Sequence, residues 1–125
     1  MIAADTSSWI AYLQGAGGDD VELLDRALSE RQLGMPAPVL TELLSDPRLD
    51  PEVAADLLAL PLVEPGEGFW ARAGHLRARV LARKRRARLA DSLIAQLCLD
   101  HELRLITRDG DFRTFVEAAG LDLVA

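Results

Sequence analysis

Acidic residues placed just beyond short apolar segments are the groups in this chain that can do chemistry. Asp5 follows Ile2-Ala3-Ala4, and Asp109 follows the apolar run Leu103 to Thr107, with Asp111 two residues later. Glu42 sits within Val39-Leu40-Thr41-Glu42-Leu43-Leu44, and Asp91 near the start of Leu89-Ala90-Asp91-Ser92-Leu93-Ile94-Ala95. Each alone has a plain structural use: helix capping, dipole pairing, a surface position or a turn. Jointly they suggest more, because Asp5, Glu42, Asp91 and Asp109 come from four separate elements that can converge at one end of a sheet. Clustered carboxylates raise one another's pKa values. A hard divalent cation, Mg²⁺ or Mn²⁺, removes that cost, taking oxygen ligands and several waters beside a substrate phosphate. That is a phosphodiesterase arrangement, in which one ion, or two about 3.5–4 Å apart, activates water and stabilises the leaving oxygen.

The elements that must position these acids are readable from periodicity. Residues 2–5 form a short strand, and Thr6, Ser7 and Ser8 offer N-cap hydroxyls to a helix carrying Trp9, Ile10 and Leu13. Gly15-Ala16-Gly17-Gly18 ends it, and Asp19 or Asp20 caps the next helix, with Val21, Leu24 and Leu28 inward. Gly34-Met35-Pro36 is a turn or a very short strand. Pro38 suits the first turn of a helix that Asp46-Pro47 ends, and Asp50-Pro51 opens another. Leu60 to Val63 is a strand with Pro61 near its start. Phe69 to about Arg86 is a long helix, with Trp70, Leu76, Val80 and Leu81 as its apolar side. Leu89 to about Glu102 is a further helix, with Leu93, Ile94, Leu97 and Cys98 inward. A strand over 103–107, a turn at Asp109-Gly110-Asp111, a short helix with Phe112, Phe115 and Val116, and a strand over 121–124 complete the chain. Strands separated by helices predict an α/β fold of three layers, α/β/α, with helices on both faces of a central, mostly parallel twisted sheet. Such sheets bind ligands beyond the carboxyl ends of their strands, where Asp5 and Asp109 fall.

A length of 125 residues, half of them apolar, predicts one domain over 1–125 and leaves no room for a separate cofactor domain. The single cysteine, Cys98, excludes an intrachain disulfide framework and reads as a core residue. With no membrane-length apolar run and no basic leader, the expectation is a soluble, cytoplasmic protein. The net charge of −6 argues against indiscriminate coating of nucleic acid. It hides an asymmetry, since Arg72 to Arg88 holds eight basic residues and no acid. Within that run, Arg83, Arg85 and Arg86 are candidate contacts to an anionic ligand or a partner surface, against the plainer reading of a solvated helix face.

The ordered acidic motifs resemble a known family. Ala4-Asp5-Thr6-Ser7-Ser8-Trp9-Ile10 looks like the opening of a PIN domain, and Thr41-Glu42-Leu43-Leu44 like its second acidic motif. Leu89 to Ala95 is similar to the third, and Leu105-Ile106-Thr107-Arg108-Asp109-Gly110-Asp111-Phe112 to the fourth, so the resemblance spans the chain. The compact size is most similar to VapC toxins of prokaryotic toxin–antitoxin pairs. The resemblance implies a Mg²⁺- or Mn²⁺-dependent endoribonuclease with Asp5, Glu42, Asp91 and Asp109 as its acidic site. It makes Asp5 and Asp91 direct metal ligands, with Glu42 and Asp109 completing the shell through water or at a second ion. Ser7 and Thr107 match hydroxyls that orient a carboxylate or water, and Asp111 is a further acid. It also implies a homodimer and a cognate, VapB-like antitoxin that blocks the site. Glu102 departs from the glycine that many members carry before the fourth strand, which affects the turn and not the ligands.

Other readings fit less well. A receiver-type domain calls for paired acids after its first strand and a lysine after its last, but the only lysine is Lys84. A dinucleotide-binding domain calls for Gly-x-Gly-x-x-Gly after the first strand, and a haloacid-dehalogenase-type phosphatase for a second Asp where Ser7 stands. Cleavage by paired imidazoles finds His75 and His101 on different helices, beside no nucleophile. The remaining alternative is a PIN fold with a decayed site that binds RNA or protein.

Overall fold

The computed structural model describes residues 1–124. Its strands are β1 (Ile2–Ala4), β2 (Leu33–Pro36), β3 (Leu62–Val63) and β4 (Arg104–Ile106), and they form a parallel sheet in the order β3-β2-β1-β4. Its helices are α1 (Thr6–Leu13), α2 (Asp19–Ser29), α3 (Ala37–Leu44), α4 (Pro51–Leu58), α5 (Phe69–Ala82), α6 (Leu89–Asp100) and α7 (Arg113–Ala119). A 3₁₀ turn over Gly110–Phe112 precedes α7. Ile2 pairs with both Leu33 and Arg104, so β1 is central. Ala3 and Ala4, which point to opposite faces, are fully buried, and their methyl groups let helices approach from both sides.

The strand order fixes where a ligand can sit. β1, β2 and β3 step in one direction, whereas the chain then crosses back to place β4 on the other side of β1. Right-handed crossovers put the connections holding α1 to α4 on one face and the one holding α5 and α6 on the other. α7 packs against α5. Chains leaving β1 and β4 therefore diverge, opening a crevice between their carboxyl ends. The core on either side of the sheet includes Trp9, Leu24 and Val39 from the first helices and Phe69, Leu76, Ile94 and Phe115 from the last ones.

The structure differs from the sequence reading at helix ends. α5 stops at Ala82, so the run Arg83 to Arg88 is a loop and not the end of a helix. Lys84 turns left-handed at φ 57°, its N–H reaching the Leu81 carbonyl and that of Arg85 the Val80 carbonyl. This is the Schellman closure that usually carries glycine. Glu102 ends α6 in the same way at φ 54°, as does Arg31 for α2 at φ 55°. The glycine expected by resemblance at 102 thus has a physical reason. Glu102→Gly is expected to stabilise the fold by about 1 kcal/mol, read as a later urea midpoint at unchanged slope.

Trp70 and Leu81 are 67% and 45% exposed, so the buried stripe of α5 is Phe69, Ala73, Leu76 and Val80. The segment over 121–124 joins the sheet only through a bridge between Leu123 and Leu105. The cap of α1 is Asp5 itself and not a hydroxyl of residues 6–8, and that of α2 is Gly18 and not an aspartate.

Candidate active site

Asp5 sits where β1 passes into α1. Its backbone N–H still donates to the Ile106 carbonyl of β4, which fixes it at the crevice. Its side chain, only 3% exposed, accepts the Ser8 N–H at 3.1 Å as helix cap. Ser7 Oγ lies 2.8 and 2.9 Å from its two oxygens, and Thr107 Oγ1 donates to Oδ2 at 2.7 Å. The Thr107 hydroxyl also accepts the Asp109 N–H, so one side chain spaces the first and fourth motifs. Ser7 and Thr107 therefore orient Asp5 directly.

Asp91 lies in the first turn of α6, half-buried. Burial pushes its carboxyl up to about 6, and the negative charges of Asp109, Asp5 and Glu42 add to the rise while Arg88 opposes it. Burial also raises Asp5, against the hydroxyl and amide donors, and Asp109 adds to that rise. The four acids thus share one electrostatic field at the carboxyl edge of the sheet. Behind Asp5, burial and that same charge push the thiol of Cys98 up to about 12, so it stays a protonated core residue.

The other sequence candidates lie further out. Glu42 is exposed, contrary to the unsolvated face its neighbours suggest, and accepts Thr6 Oγ1 at 2.7 Å. Asp111 donates its N–H to Asp109 Oδ1, while its carboxylate is 3.8 Å from Arg86. In the loop between α5 and α6, Arg83 and Arg85 are exposed without an ion pair among the described residues. Arg72 instead pairs with Asp100, and Arg77 holds the Ala87 carbonyl. His101 caps the end of α6, facing the Glu64 carbonyl.

Among the described residues no three Asp, Glu, His or Cys side chains form a ready-made metal cage. The donor set still fits a hard cation, because it is all oxygen and its members destabilise one another's charge. Such ions are held by few carboxylates and several waters.

The family model for the PIN domain matches residues 2–117. The chain belongs to the PIN domain family. It is 30% identical over 126 residues to ribonuclease VapC5 of Mycobacterium tuberculosis, covering 96% of this chain and 91% of that protein. Ribonuclease VapC11 of the same species and the VapC ribonuclease Mb1587 of Mycobacterium bovis are each 31% identical over 128 residues, covering 97% of this chain and 96% of theirs. The chain is thus a VapC-like PIN domain. The fold is shared with the crystal structure of FitAcB from Neisseria gonorrhoeae at a TM-score of 0.69 and 20% identity, over 92% of this chain and 93% of that one.

Three polar residues of this PIN domain escape the sequence reading as parts of the site: Ser8, Asp20 and Arg108. Asp20 is 6% exposed and accepts both Ser8 Oγ and the Arg108 guanidinium. No local signal reveals a pairing between residues 88 positions apart.

Proposed function

We propose that this chain is the toxin of a type II toxin–antitoxin pair, an endoribonuclease that hydrolyses RNA phosphodiester bonds with Mg²⁺ or Mn²⁺. The observation that carries the reading is Asp91, raised to about 6 by burial and by the three other acids of the ordered motifs. Its support from relatives is the ribonuclease name they bear across nearly the whole chain.

Asp5 and Asp91 would hold the cation directly, with Glu42 and Asp109 completing the shell through water or at a second ion. Once bound, a divalent ion supplies charge neutralisation at the phosphate and a lower pKa for water. Asp91 or Glu42 would take the proton from the attacking water. Ser7 and Thr107 would keep Asp5 fixed at the crevice, and attack on the phosphate would be in line. The products are a 5′-phosphate and a 3′-hydroxyl.

RNA is held through phosphate and sugar by Arg83, Arg85 and Arg86 of the α5–α6 loop, where Arg86 comes within 3.8 Å of Asp111. A cognate VapB-like antitoxin would seat beside the site, in a groove of about 480 Å³ whose lining includes Ile10, Leu13, Glu42, Leu49 and Val53. The working form in this reading is a cytoplasmic homodimer. Among the described residues no helix is long and apolar enough to cross a membrane.

The test is cleavage of a defined RNA by purified protein with Mn²⁺ or Mg²⁺, with and without EDTA, followed by end-group analysis. Metal-dependent cuts leaving 5′-phosphate are expected. A 2′,3′-cyclic phosphate contradicts the mechanism, because it makes the ribose 2′-hydroxyl the nucleophile. No cleavage with either ion favours the decayed binding module. Replacing Arg83, Arg85 and Arg86 together by Gln is expected to weaken RNA or antitoxin binding about tenfold or more at low salt and to flatten the salt dependence. Mn²⁺ binding survives. Unchanged affinities for both partners make this loop a passive surface.

A further inference from the structure

We infer that the ion pair between Asp20 and Arg108 is a positioning device for the acidic site, closing a ring of contacts that holds Asp5 from both sides. The inference rests on the nuclease reading above. Arg108 donates to Asp20 through Nε at 2.8 Å and Nη2 at 2.9 Å, in a two-pronged grip on a buried carboxylate. Asp20 also accepts Ser8 Oγ at 2.8 Å, and the N–H of Ser8 donates to Asp5. On the other side, Arg108 is joined by a peptide bond to Thr107, whose hydroxyl holds the second Asp5 oxygen. The ring therefore runs Asp5, Ser8, Asp20, Arg108, Thr107 and back to Asp5. It bolts the start of α1 to the loop after β4, the two segments that carry the first and fourth acids.

Two observations separate this from an ordinary surface bridge. The Asp20 carboxylate is nearly buried while the Arg108 side chain is 39% exposed, so desolvation of the acid offsets part of the attraction and the pair is weak evidence for stability. Its distinguishing property is the fixed geometry of a guanidinium fork. The preceding turn is also fitted to it: Arg108 donates to the Gly17 carbonyl, and Gly18, at φ 142°, has no room for a Cβ. A methyl group there would stand 2.7 Å from Asp20 Oδ1 and 3.0 Å from Arg108 Nη2.

The test compares wild type with Asp20→Asn, Arg108→Gln and Arg108→Lys, and with Leu57→Ala as a core variant outside the ring. Calorimetric Mn²⁺ titration and the kcat and KM of RNA cleavage are measured well below each melting temperature. Loss of a partner that orients a ligand typically costs about 10–100-fold in metal affinity or activity, so the ring variants should lose kcat or Mn²⁺ affinity on that scale. KM should stay within about twofold, since these side chains remove transition-state interactions and not RNA contacts. Arg108→Lys keeps the charge without the fork and should not rescue. Leu57→Ala should lower the melting temperature while kcat holds. Ring variants that match Leu57→Ala in all three readouts, or full rescue by lysine, overturn the inference. Arg108→Gln keeps the test open if Asp20→Asn does not fold. A wild type that never cuts RNA, yet loses Mn²⁺ affinity with Asp20→Asn, supports the ring and sinks the nuclease reading instead.

Discussion

Asp91→Asn is expected to cut RNA about 10²–10⁴-fold more slowly than wild type, while its metal-free form melts higher. The two effects have one cause. Burial and three neighbouring acids raise the Asp91 carboxyl from its ordinary 3.8 to about 6, so the folded protein favours the neutral form that asparagine imitates. The first turn of α6 favours a negative charge, but the direction of the shift shows that burial and repulsion win. Asp91 is partly open to solvent, so screening reduces the gain to about 1 kcal/mol, or roughly 4 °C. The sign follows from linkage. A folded pKa above the unfolded one makes the Asp91 contribution most favourable below pH 3.8 and removes it as pH rises through about 6. Melting curves of the two metal-free proteins should converge at the acid end and separate toward neutrality, with the variant higher. A variant that melts markedly lower at pH 7 would make Asp91 a structural acid.

The second large effect is at Asp5, where capping and catalysis fall on one side chain. Asp5→Asn keeps an oxygen for the Ser8 N–H, so its stability should stay within about 1 kcal/mol of wild type while cleavage falls about 10²–10⁴-fold. Asp5→Ala removes the cap as well and should cost about a further 1–2 kcal/mol in urea unfolding. Groups that act as a unit are not additive, so Asp5→Asn with Asp91→Asn should be hardly slower than either alone. Equal cleavage by wild type and Asp5→Asn would expose a contaminating nuclease and remove the enzymatic claim.

The order of strands and helices is legible because each strand is a short apolar run and each helix carries an inward stripe. The placement of Asp5 and Asp109 follows from the same pattern, since a parallel sheet gathers what lies just past its carboxyl ends. Helix ends are less legible. α2, α5 and α6 close on Arg31, Lys84 and Glu102 in left-handed conformations, and nothing in a basic or acidic residue announces a stop that glycine would. The exposure of Trp70 and Glu42 was hidden because periodicity gives the phase of a helix and not how far its neighbours cover it. Asp20 and Arg108 look like a first-turn acid and a turn arginine. Only the folded chain brings them together behind Asp5.

The central claim is that carboxylates from just past β1, from α3 and α6, and from the loop after β4 form one cation site, for one ion or two. Crystals of the protein soaked in Mn²⁺, measured at the manganese absorption edge, address it most directly. The account predicts an anomalous peak within coordination reach of Asp5 and Asp91, lost in Asp91→Asn. Manganese bound only elsewhere, or a peak beside Asp5 that ignores the loss of Asp91, would contradict it.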